Sequence, residues 1–339
     1  MFFLFVTLVP TAFAHEKWFV KSSEVSSLKP LLFSSWNSVN ASMVLAGIFS
    51  LLAALLIHFA VRPHRWARRM RSFFGRWSSW VPPVLRTLTG LLLFSGSFSR
   101  FLFAPDLQTG TLPLPVERVL LAVQLLTGLF LLVGIFPRFI STLGFTLYVV
   151  TLGVFPFLDV LNYMSFVGIF VYLFIVGDPT LPKVRGVNLF PSIVHFFHMK
   201  EAKPYAMAVL RMFFGTAVML VGFRYKLYEP GYALEFLRTH PINFMPALGF
   251  SNFSDQLFVM AAGITEVLLG LLIFLGLLPR LVGLLFFVCF TLTLSLFGIY
   301  ELLGHLPLYA IAFALITKGG GERWSPELSA VLVKRAAKK

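Results

Sequence analysis

What most constrains this chain is a succession of apolar runs, each about as long as a hydrocarbon layer is thick. Ala41–Val61 is the plainest of them, twenty-one residues without a Lys, Arg, Asp or Glu, where a membrane-crossing helix needs about 20. Eight more follow, at about 82–103, 117–136, 139–157, 161–177, 205–226, 258–278, 281–299 and 303–317. A water-soluble fold could not bury them all. The composition agrees: 12% of the residues are charged, about half the share of a soluble domain, and mean hydropathy is +0.85. The expectation is an all-α integral membrane protein with nine spans.

The net charge of +14 is then a matter of topology. Lys and Arg gather on the cytoplasmic side of membrane proteins. Arg62, Arg65, Arg68, Arg69, Arg71 and Arg76 follow the first span directly, so that flank is read as inside. With Trp66, Phe73, Phe74, Trp77 and Trp80 among them, they form a basic amphipathic run suited to the inner leaflet. Nine spans with the N-terminus outside and the C-terminus inside put eighteen basic residues inside and eight outside, Arg86 and Arg211 apart. Those two lie near cytoplasmic helix ends, from which long side chains reach the interface. A nucleic-acid partner is excluded. The chain's one cysteine, Cys289, excludes an internal disulfide and a CxxC redox pair. Residues 1–14 are read as a signal peptide, because Met1–Val9 is apolar and Ala12-Phe13-Ala14 fits a small-x-small cleavage site.

Two stretches repeat each other. Val84-Leu85-Arg86-x3-Gly90 matches Val209-Leu210-Arg211-x3-Gly215, and Gln124-x3-Gly128 matches Glu266-x3-Gly270. Gly134-x2-Pro137-Arg138 matches Gly276-x2-Pro279-Arg280, and at the same offset of 142 Asp159 falls on Glu301 and Tyr163 on His305. Each unit holds four apolar runs, so both units share one orientation, as in parallel-repeat membrane proteins. The expected organisation is a periplasmic segment at 15–40, the first helix and basic segment at 41–80 and a four-helix unit at 82–179. A cytoplasmic linker at 180–204, a second unit at 205–320 and a basic tail at 321–339 complete it.

A unit that opens with Leu-Arg-x3-Gly and continues with Glu-x3-Gly-x5-Gly-x2-Pro-Arg resembles the DoxX-like superfamily, which includes the small subunit of thiosulfate:quinone oxidoreductase. The resemblance covers about 82–179 and 205–320, as a tandem pair. It implies the bacterial inner membrane and, as in some members, association with a respiratory or detoxifying oxidoreductase, so that a membrane or periplasmic redox partner and a quinone belong to the expectation. No other cofactor is evident. An accessory subunit is expected rather than a self-sufficient enzyme.

Ionisable groups at membrane depth are costly and so mark chemistry or structure. Glu266 lies within the 258–278 run, Arg224 and Lys226 at the outer end of the preceding run, and Glu301 and His305, four apart, on one face of the last. These five are the candidate site. One reading is an ion-pair network in which Arg224 or Lys226 neutralises Glu266; the other is a proton- or ligand-handling pocket open to the outside. His15, and the pair His195 and His198, have too few neighbouring ligands for a metal site. His58 is expected at the interface and Cys289 buried and unreactive. Phosphate-binding, zinc-protease and nucleophile-elbow signatures are missing. A small-molecule or proton-coupled transporter and a structural assembly factor remain as the other functional classes. The loop at 228–256 is expected to cap the second unit.

Overall fold

In the computed structural model, residue 20 and residues 38–61, 64–177 and 201–322 are described. The expected signal peptide, His15, His195, His198 and most of the linker and tail lie outside them. The described residues are helical, with a single isolated bridge between Phe101 and Gln108. Helix α1 is Ser38–Val61 and α2 Arg65–Gly75; α3 is Val81–Phe98, α4 Leu114–Val133, α5 Pro137–Val154, α6 the short Phe157–Leu161 and α7 Ser165–Val176. Then come α8, Lys203–Gly222, which runs on as a π-helical turn over Phe223–Tyr228, α9 at Gly231–Thr239, α10 at Asp255–Leu275, α11 at Pro279–Phe297 and α12 at Ile299–Lys318. Among the described residues five helices are long and apolar enough to cross a membrane: Ala41–Val61, Leu114–Val133, Pro137–Val154, Lys203–Tyr228 and Asp255–Leu275. Three shorter apolar helices accompany them, at Ser165–Val176, Pro279–Ser295 and Leu302–Lys318. Leu56, Phe49, Phe139 and Phe98 are each about 70% exposed, a belt of large apolar side chains that suits lipid and would be costly in water.

Helix α3 packs most extensively on α4 and α8 on α10, and glycine explains the closeness of both pairs. A Cβ on Gly215 would stand 2.5 Å from the carbonyl oxygen of Gly270, and one on Gly270 2.7 Å from that of Gly215; at Gly90 and Gly128 both such distances are 2.8 Å. Small residues at a crossing let two backbones touch, which is how helices associate where lipid supplies no hydrophobic drive. Helix α5 packs on α7 and α11 on α12. Between the first set, α3, α4, α5 and α7, and the second, α8, α10, α11 and α12, the contacts are reciprocal: α7 lies against α8, and α12 against α3.

The Gly-x2-Pro-Arg stretches are helix junctions. Gly134 and Gly276 end α4 and α10 at φ +80° and +74°, left-handed positions that glycine takes without steric cost. Phe136 and Leu278 follow at φ 48° and 47°, a left-handed conformation uncommon outside glycine. Pro137 and Pro279 then open α5 and α11, where a missing N–H costs nothing. The arginines serve carbonyls. Arg211 is buried and donates from Nε to the Gly320 oxygen at 3.1 Å, and from Nη1 to the oxygens of Ile273, at 3.1 Å, and Phe274, carbonyls of the last turn of α10. It ties three helices together instead of reaching the interface, as its place near a helix end had suggested. Arg138 and Arg280 donate to the oxygens of Ile175 and Thr317 in the same way. His58 also departs from expectation. It is buried, and its Nδ1 accepts the N–H of Leu278 at 3.2 Å, which fastens α1 to the α10–α11 junction.

Candidate functional site

The π-helical turn Phe223–Tyr228 organises the polar residues. Such widened turns recur at functional sites, and here successive residues take different partners. Lys226 turns to α10, where its Nζ lies 3.0 Å from Oε1 of Glu266; the two side chains are 2% and 4% exposed. Room for the lysine stem comes from Gly263, where a Cβ would stand 2.8 Å from that of Lys226. Arg224 turns the other way. Its Nη1 meets Oδ1 of Asp159 at 2.7 Å and its Nε meets Glu229 at 3.3 Å, with the guanidinium 5.0 Å from the Tyr225 ring centre. The Tyr225 hydroxyl accepts from Nδ2 of Asn162 at 2.8 Å and donates to Asp159 at 3.4 Å. Of the two cations offered as partners for Glu266, the structure selects Lys226; Arg224 bridges to the first four-helix set.

At the sequence offset of 142 the neutral Gln124 falls on Glu266. Its Nε2 donates to the carbonyl of Phe101 at 2.8 Å and its Oε1 accepts the N–H of Phe103 at 3.0 Å. Position 101 corresponds to 226 at the offset of 125 that aligns Arg86 with Arg211. A backbone carbonyl thus meets the Gln124 amide, whereas an ammonium meets the Glu266 carboxylate. Gln124 pins a tight loop in which Arg100 and Phe103 are left-handed, at φ 58° and 60°, so that the Phe103 ring turns inward against Phe166 at 5.0 Å. The loop is closed by an ion pair that sequence reading passed over: Nε and Nη2 of Arg100 each donate to Glu117 at 2.8 Å, and Thr109 adds a third bond at 2.7 Å. The hydrogen-bonded Glu117 carboxylate raises the pKa of the Arg100 guanidinium above its usual value.

Between the two sets lies a cavity with about 680 Å³ of empty space, its open mouth included. Phe103 and Phe166 wall it from one side, Phe214, Phe286 and Phe290 from the other, and Asn162, Tyr163, Glu266 and His305 supply the polar groups. Tyr163 donates its hydroxyl to Asp106. His305 is buried and stacks on Phe290, centres 4.8 Å apart. Arg224 lies outside the lining and Lys226 reaches it through Glu266. Glu301 stands in the first turn of α12, and its side chain is outside the described residues. The 228–256 loop covers the N-terminal end of α10, where Ala233, Leu237 and Met245 pack on Phe258, Val259 and Ala262. On its surface Arg238 grips Glu235 and holds that carboxyl below the usual carboxylate range. Cys289 is buried. Among the described residues no three His, Cys, Asp or Glu side chains converge as a metal site would require.

Comparison with family models, with curated proteins and with solved structures yields no match. The site must be argued from its own chemistry.

Proposed function

We propose that the chain is a nine-span DoxX-like protein of the bacterial inner membrane, N-terminus outside and C-terminus inside, that serves a membrane redox system as a quinone-contacting accessory subunit. The carrying observation is the cavity between the two four-helix sets. Five phenylalanine rings form its walls while a carboxylate, an imidazole and a phenol converge on it, the mixture of apolar surface and few polar groups that holds a small amphiphilic ring. The paired crossings at Gly90–Gly128 and Gly215–Gly270, and the paired left-handed residues Phe136 and Leu278, support two copies of one four-helix unit with the cavity at their junction.

The test is extraction of protein purified in mild detergent. About one quinone per chain is expected, lost when Ala217→Phe fills the cavity from α8. A lipid extract with no quinone above the level of a control membrane protein ends the reading. A transporter is the second reading, and the charged π-helical end of α8 favours it, because interrupted helices line transport sites. Solute or proton uptake by reconstituted liposomes would mark it, and neither quinone nor uptake would leave a structural assembly role.

A further inference from the structure

Where α1, α2 and α11 meet, an open apolar groove encloses about 920 Å³ of empty space. Ile57 and Val61 of α1, Phe74 of α2, and Leu281 and Leu284 of α11 line it, and the two leucines are about half exposed. Two cations stand on the same groove, Arg71 from α2 and Arg280 from α11. The groove lies where the apolar stretches Ala41–Val61 and Pro279–Ser295 meet their polar flanks, which is the depth of lipid head groups. Helix α2 carries exposed Arg65, Arg68 and Arg69 beside exposed Met70 and Phe73, the pattern of a helix lying in the interface. Arg280 also borders a separate polar cavity lined by Lys203, Lys318 and Glu322.

We propose that this groove is a binding site for one anionic phospholipid, with an acyl chain along the apolar wall and the phosphate at Arg71 and Arg280. The pairing of features selects the ligand class. Apolar walls alone would accept any lipid chain, and arginines alone any phosphate. Basic pockets between spans at the interface hold anionic head groups, each arginine contributing about fivefold in affinity.

The experiment uses the full chain, stripped of lipid in detergent and offered phosphatidylglycerol or phosphatidylcholine, with bound lipid counted by native mass spectrometry. One phosphatidylglycerol should be retained in preference to phosphatidylcholine, and inorganic phosphate at millimolar concentration should not displace it. Arg71→Gln should lower retention about fivefold. Leu284→Trp, which fills the groove and leaves both cations, should lower it as well. Arg280 is kept intact because it also holds Thr317. Melting in lipid-free detergent should match wild type for both variants, which separates loss of the site from loss of the fold. Equal retention of the two lipids, displacement by phosphate, or full retention in either variant would overturn the proposal.

Discussion

Glu266 is where the chemistry of single residues decides most. Its carboxylate and the Lys226 ammonium are both withdrawn from solvent, so each is the condition for the other's charge. Removing one member of a buried pair costs about 3–5 kcal/mol, whereas replacing both is often nearly neutral. Glu266→Gln should therefore lower the melting temperature and the abundance of the protein in membranes, and adding Lys226→Met should restore much of both. Gln124 does not make glutamine safe at position 266, because its amide answers a backbone carbonyl and a backbone N–H, whereas Glu266 faces the Lys226 ammonium. Undiminished stability of Glu266→Gln, read by melting in detergent, would show that the pair does not hold α8 to α10. His305 is different in kind. It stacks on Phe290 across the cavity wall, so His305→Ala should leave melting closer to wild type than Glu266→Gln does.

At the scale of helices, the glycine crossings set the architecture. Gly215→Ala would place a methyl group 2.5 Å from the Gly270 oxygen and 2.7 Å from the Phe274 nitrogen, against backbone that cannot yield without separating α8 from α10. Gly153→Ala, in α5 with nothing within 4 Å, should instead be neutral or stabilising by up to about 1 kcal/mol. Melting of the two variants side by side distinguishes a packing contact from the general cost of altering a helix. Much of this level was legible in the chain. The apolar runs marked the helices, and Gly-x2-Pro-Arg marked the junctions. The candidate polar residues were legible as residues but not as partners. Arg224 and Lys226 are two apart at the end of one apolar run, and nothing in that run reveals a π-helical turn that sends one to Asp159 and the other to Glu266. The Arg100–Glu117 pair was missed for a related reason: 17 residues separate its members, and only a loop pinned by Gln124 brings them together. Residues 99–103 were read as the end of a span on apolarity alone, yet Ser97, Arg100 and Gln124 together were the available sign of a turn.

For the whole molecule, orientation is the first thing to check, and the buried Cys289 makes the check clean. Cysteine introduced at Ser251, exposed in the outer loop, should react with a membrane-impermeant maleimide in intact cells, while cysteine at the exposed Ser79 should react only after permeabilisation. The reverse pattern would invert the assigned topology. A second expectation follows from the reciprocal packing, in which α12 covers α3 just as α7 covers α8. A chain cut before Ile299 should lose the first half as well as the second, seen as proteolysis within 81–176. The same embrace fixes an order of events in biosynthesis. Helix α3 ends at residue 98 and α12 at 318, so at about 5–20 residues per second the ribosome needs roughly 10–45 s to deliver the partner that α3 awaits. Throughout that interval the face of α3 that α12 will cover sits in the bilayer or in the hands of the insertion machinery. The first half of this protein is therefore synthesised early and finished last.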